Sequence, residues 1–91
     1  MEFNMDKLQE LYNTVVDDDT FTHMGVLMKV PDAPAPEMII NPRANFESKM
    51  AYYVEKYDYD GYMKVNPNVQ ILSAVFCTSA EQAARYFQSL S

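Results

Sequence analysis

The segment from Asn41 to Gly61, NPRANFESKMAYYVEKYDYDG, is the longest helix-like stretch of the chain, and every other element must pack around it. At about 100° per residue, Phe46, Met50, Tyr53, Val54 and Tyr57 fall on one side, the spacing of a stripe that faces a core. Asn41 before Pro42 fits an N-cap followed by proline in the first turn, and Asn45 offers a second cap four residues later. Gly61 can adopt the left-handed conformation that ends a helix.

The other positions of this helix sort by chemistry. Glu47, Ala51, Glu55 and Asp58 share one flank, while Lys49, Tyr52, Lys56 and Tyr59 share the other. Charged flanks ordinarily mean solubility alone. A sharper reading makes Tyr52 and Tyr59, with Tyr62 beyond the helix end, a recognition surface. Tyrosine brings a large contact area with few rotatable bonds to freeze and is enriched at interfaces.

The 91 residues are expected to form one domain spanning 1–91, and 48% hydrophobic residues are enough for a core. Thirteen Asp and Glu against seven Lys and Arg give a net charge of −6. That balance argues against direct nucleic-acid binding and against anionic membranes, and it suits a partner with a basic surface. A single cysteine, Cys77, leaves no internal disulfide. The start, MEFNMDKLQE, lacks the apolar core of a signal peptide, and no apolar run approaches the ~20 residues of a membrane span, so a cytoplasmic location is expected.

Along the chain, Met5, Leu8, Leu11, Tyr12, Val15 and Val16 share one side of a first helix capped by Asn4. Asp17-Asp18-Asp19 must end it, since three carboxylates sit badly at the negative end of a helix dipole. Thr20 to Val30 reads as a strand, with Met24, Val26, Met28 and Val30 on one face and Phe21, His23, Gly25, Leu27 and Lys29 on the other. PDAPAP follows as a stiff connector, and Glu37 to Ile40 as a short strand. Tyr62–Val65 and Val69–Thr78 are expected to form a hairpin about Asn66-Pro67-Asn68. Its second arm is apolar on both sides, with Val69, Ile71, Val75 and Cys77 opposing Leu72, Ala74 and Phe76, which places it inside a sheet. Thr78-Ser79-Ala80-Glu81 reads as a capping box ahead of a last helix carrying Ala80, Ala83, Ala84, Phe87 and Leu90 on one side.

Catalytic and cofactor chemistry finds little footing. One His and one Cys cannot build a zinc site, and two glycines cannot build a phosphate-cradling loop. A His23–Cys77 pair lacks an orienting motif. Asp58-Tyr59-Asp60-Gly61 resembles the middle of a calcium loop, but the frame puts Lys56 and Pro67 where carboxylates are required. No metal, cofactor or catalytic residue is therefore expected. One alternative site remains: Arg43 beside the free N–H groups of the central helix, with Asn41 and Asn45, as a small-anion or enzyme-subunit site.

The expected fold is a small α+β domain in the order α-β-β-α-β-β-α. It has a three- or four-stranded, mainly antiparallel sheet with helices mostly on one face. A third helix must wrap an edge or the far face, or leave an open apolar face that favours a homodimer. The expected function is a non-catalytic interaction protein. Its partner-binding residues would be Glu47, Tyr52, Glu55, Asp58, Tyr59 and Tyr62, engaging a basic surface that otherwise holds nucleic acid. In size, acidity and lack of catalytic groups the chain is similar to small phage-encoded inhibitors, including anti-CRISPR proteins and other nucleic-acid mimics, a likeness of general character. A homo-oligomeric assembly subunit is the remaining alternative.

Overall fold

The computed structural model describes residues 3–89. Three helices, α1 (Met5–Val15), α2 (Phe46–Lys56) and α3 (Ala80–Gln88), surround four strands, β1 (His23–Lys29), β2 (Glu37–Pro42), β3 (Tyr62–Met63) and β4 (Asn66–Cys77). The order is α-β-β-α-β-β-α, and the strands form one antiparallel sheet, β2-β1-β4-β3.

Local chemistry sets the ends of the helices. Asn4 is extended and its side chain accepts a hydrogen bond from the Lys7 amide at 2.9 Å, starting α1. At the far end Asp18 Oδ1 accepts from the Thr20 amide at 3.0 Å and its hydroxyl at 2.7 Å, so the acidic run becomes a turn. The cap of α3 lies one residue later than the sequence suggests. Ser79 receives the Gln82 amide, while Gln82 Oε1 receives the amide and hydroxyl of Thr78. Leu90, expected on the apolar side of this helix, lies outside the described residues.

The central helix is shorter than its pattern. Asn41 and Pro42 belong to β2, a 3-10 turn occupies Arg43–Asn45, and Asn45 holds the N-cap position of the helix that starts at Phe46 without a capping bond from its side chain. Asn41 is needed in the ladder opposite Met24, and Pro42 sits where no ladder donor is required. The core stripe is narrower too. Phe46, Met50, Tyr53 and Tyr57 are buried, but Val54 is 49% exposed. An i, i+4, i+7, i+11 line fits the sheet, and the neighbouring position points past its margin.

One face of the sheet presents Met24, Val26, Met28, Ile71 and Phe76 to α1 and α2, and this is the principal core. The other face is covered by α3, the far-face arrangement. Its closeness depends on Gly25. A Cβ there would lie 2.8 Å from the Phe87 ring and 3.2 Å from Ala83 Cβ, so only glycine lets α3 settle this near β1.

Simple alternation fails in β4. The register with β1 shifts between Leu27 and Met28, so Leu72 is an extra residue and a bulge. Ile71 thereby joins Ala74 and Phe76 on the core side, while Val75 and Cys77 lie opposite Gly25 and His23 on the α3 side. The turn between β3 and β4 is also tighter than the Asn66-Pro67-Asn68 signal implies, because Asn66 already pairs with Met63. With β3 only two residues long, β4 is an inner strand for its first part and an edge for its second.

Candidate functional site

Where α2 ends, Tyr57 turns extended and Asp58 builds a compact corner. One of its carboxylate oxygens accepts from the amides of Asp60 at 3.0 Å and Tyr62 at 2.9 Å. Its own amide donates to the Tyr62 carbonyl at 2.8 Å, and Gly61 closes the turn with φ 92°. The start of α1 is tied to the same corner, since the Met5 amide donates to the Tyr59 carbonyl at 2.8 Å.

That tie gathers a group of acids. The Tyr59 hydroxyl donates to Asp6 Oδ2 at 3.4 Å while the ring stays 55% exposed. Negative charge on Asp6, with lesser contributions from burial, Asp60 and Glu10, raises the Tyr59 hydroxyl above the ordinary tyrosine value. The corner therefore combines an exposed aromatic ring with acidic charge drawn from two separate parts of the chain. Tyr62, also exposed, hangs from the same turn.

Of the residues expected in a partner-binding surface, Asp58, Tyr59 and Tyr62 come together, with Asp58 acting chiefly as the builder of the turn. Tyr52 stands one layer away, edge-on to Tyr53 at 5.5 Å and Tyr57 at 6.2 Å, with the Lys49 ammonium 5.4 Å from its ring centre. Glu55 is exposed on the opposite flank. Glu47 lies at the other end of α2, beside a cavity of about 240 Å³ that it lines with Tyr12, Val16 and Arg43. Asp6, Glu10 and Asp60 carry the acidity of the corner instead. No short-range pattern reveals Asp6 and Glu10, since α1 reaches the corner through long-range contacts such as the Met5–Tyr59 tie.

Arg43 has a different occupation. Its guanidinium donates to the carbonyls of Phe21 at 2.7 Å, Asp18 at 2.8 Å and Val16 at 2.6 Å, with longer contacts to Val15 at 3.4 Å and the Asp19 carboxylate at 3.7 Å. These donors are committed within the chain. Asn41 is buried, its Nδ2 has no partner among the described residues, and its Oδ1 receives a 3.5 Å contact from Asn45.

His23 lies directly opposite Cys77, and its Nδ1 pairs with the Thr22 hydroxyl at 2.8 Å. Burial pushes the Cys77 thiol up, away from the thiolate that nucleophilic or redox chemistry requires. Among the described residues no group of His, Cys, Asp or Glu is placed to hold a metal ion, and no helix is long and apolar enough to cross a membrane.

The tyrosine cluster gives the fold an alkaline limit. Burial, followed by the neighbouring Tyr57 and Tyr52, pushes Tyr53 up to about 12. The folded-state value lies above the unfolded value near 10, so the protonated phenol is the form that the fold favours. Its contribution is complete below about pH 10 and disappears as pH rises toward 12, up to about 3 kcal/mol in all. Denaturant unfolding at pH 9 and pH 11.5 should record the loss, and Tyr53→Phe should make the slope shallower. An unchanged slope in Tyr53→Phe would place the effect elsewhere.

Compared with known protein families, curated proteins and solved structures, the chain matches none of them.

Proposed function

We propose that the chain is a non-catalytic interaction protein that grips a basic protein surface with its acidic, tyrosine-bearing corner. One observation carries the reading: Tyr59 is half exposed, its hydroxyl donates to Asp6 at 3.4 Å, and it feels the negative charge of Asp60 and Glu10 as well. A basic side chain from a partner would meet carboxylates at the rim and an aromatic face at the centre, the pairing that makes an energetic anchor. The net charge of −6 would speed the encounter with a basic partner. The favoured partner is a surface that otherwise holds nucleic acid, which makes the protein an inhibitor of the kind phages encode, acting in the cytoplasm.

Capture from a host lysate, followed by mass spectrometry, tests this with two baits. The wild-type chain should retain a basic protein, and a Tyr59→Ala/Asp60→Asn chain should lose it by roughly thirtyfold in affinity, the effect of losing about 2 kcal/mol. Binding should also weaken as salt rises. Equal capture by both baits, or affinity indifferent to salt, would remove the corner from the account. Neither substitution touches the core, so a folded control is straightforward by circular dichroism.

A further inference from the structure

The outer side of β4 is paired over only part of its length. β3 pairs with β4 only at Asn66 and Gln70, and the Ile71 amide makes the last bond on that side, to the Gly61 carbonyl at 2.8 Å. From Leu72 to Cys77 no strand lies alongside among the described residues. The direction of the main chain follows from β1. The Arg43 amide donates to the Thr22 carbonyl at 2.7 Å while the Thr22 amide donates to the Cys77 carbonyl at 2.9 Å, so from that carbonyl onward Met24 and Val26 turn their groups toward β2, and His23, Gly25 and Leu27 turn theirs toward β4. Val75 and Cys77 are thus engaged with β1, while Ala74 and Phe76 direct an N–H and a C=O each outward. No hydrogen bond among the described residues reaches those outward groups.

Natural sheets blunt such edges with proline or charge. The opposite edge, β2, is blunted: Pro36 precedes it, Glu37 begins it and Pro42 ends it. The sequence LSAVFC in β4 has neither proline nor charge. A groove of about 520 Å³ runs along this edge between α1 and α3, lined by Leu11, Leu72, Val75 and Tyr86 with Lys7 and Glu10 at its rim.

We propose that a second copy of the chain occupies this edge, its β4 antiparallel to the first about a twofold axis at Val75. Ala74 then faces the copy's Phe76, and Phe76 the copy's Ala74. Four N–H···O=C bonds close, and two four-stranded sheets become one of eight. Two observations select a copy over a lone extended peptide. Leu11 on α1 and Tyr86 on α3 are 42% and 40% exposed, one on each side of the sheet. A single added strand covers the edge alone, whereas a copy brings its own α1 and α3 to cover both side chains. Charge agrees: chains of −6 repel each other wherever acids meet, but this groove is lined by one Lys and one Glu and is locally neutral.

Light scattering after size-exclusion chromatography should give twice the 10.5 kDa of one chain, falling toward a monomer on dilution. With Cys77→Ala removing the native thiol, Val75→Cys should oxidise to a covalent dimer, because a non-hydrogen-bonded cross-strand pair lies within disulfide reach. Ser73→Cys should not, since the two copies of that residue would stand about 14 Å apart. Ala74→Pro deletes an outward donor at an edge position that tolerates proline, and should weaken association about a hundredfold with the circular dichroism spectrum retained. A monomer throughout the concentration range overturns the proposal, including one that takes up foreign strands at this edge. So does cross-linking through Ser73 as readily as through Val75, or a folded Ala74→Pro chain that associates like wild type.

Discussion

Replacing Phe46 with alanine is expected to lower the folding free energy by about 3–5 kcal/mol, the range for deleting a buried aromatic ring. Phe46 is 4% exposed and stands edge-on to Phe76, ring centres 5.1 Å apart. It is the first residue of α2 and directly follows the 3-10 turn, so it joins the helix to the sheet where the chain changes direction. The Arg43 guanidinium carbon lies 5.7 Å from its ring centre, which adds a cation–π contact to the lost packing. A domain of this size has about 5–15 kcal/mol in total, so the variant should fall to the edge of stability. The denaturant midpoint measures it, with Val54→Ala on the same helix as control. Val54 is 49% exposed and its truncation should cost under about 0.5 kcal/mol. A Phe46→Ala loss below about 1.5 kcal/mol would mean that the core closes around the gap.

The contrast between Phe46 and Val54 marks what periodicity can establish. A helical stripe was legible because apolar residues recur at the right spacing, and the α-β-β-α-β-β-α order followed from caps, turns and β-branched runs. Periodicity fixes which side of a helix is apolar, but not how wide a strip the sheet will cover. Val54 lies within the stripe by angle and outside it by contact. In the same way, alternation identified β4 as apolar on both sides but could not reveal that Leu72 is an extra residue, because the bulge depends on the register with β1. Asn41-Pro42 had the chemistry of a helix start, yet tertiary pairing with β1 took those residues into a strand.

The candidate site was legible only in part, for a related reason. Tyr59 and Tyr62 could be picked out as tyrosines without a core role. The carboxylates Asp6 and Glu10 come from a helix more than forty residues earlier in the chain, brought to the corner by tertiary contacts such as the hydrogen bond from Met5 to Tyr59. Glu47 and Glu55 share a flank with Asp58 on a helical wheel, but Glu47 lies roughly 16 Å along the axis from the corner. A shared face groups residues by angle; a binding surface also requires that they be close.

Arg43→Ala is expected to cost about 2–4 kcal/mol, although the side chain is 28% exposed and its ion-pair partner Asp19 is 99% exposed. The stabilisation comes from carbonyls rather than from the carboxylate. Val15 and Val16 lie at the C-terminal end of α1, where carbonyls have no partner within the helix, and Asp18 and Phe21 belong to the turn that follows. One planar guanidinium satisfies these groups together and places a positive charge at the negative end of the helix dipole. Removing it takes the donor from the Val16 and Phe21 carbonyls and loosens the turn that links α1 to β1, where the Val15 and Asp18 carbonyls still accept from the Asp18 and Phe21 amides at 3.0 and 3.2 Å. Arg43→Lys should recover less than half of the loss, because an ammonium is a single point and cannot span carbonyls that fan out around a plane. Asp19→Asn should change stability by under about 0.5 kcal/mol, as an exposed ion pair contributes little. Thermal unfolding of the three variants separates the two accounts. Equal losses in Arg43→Ala and Asp19→Asn would make the salt bridge responsible, and a large loss in Arg43→Ala alone makes it the carbonyl clasp.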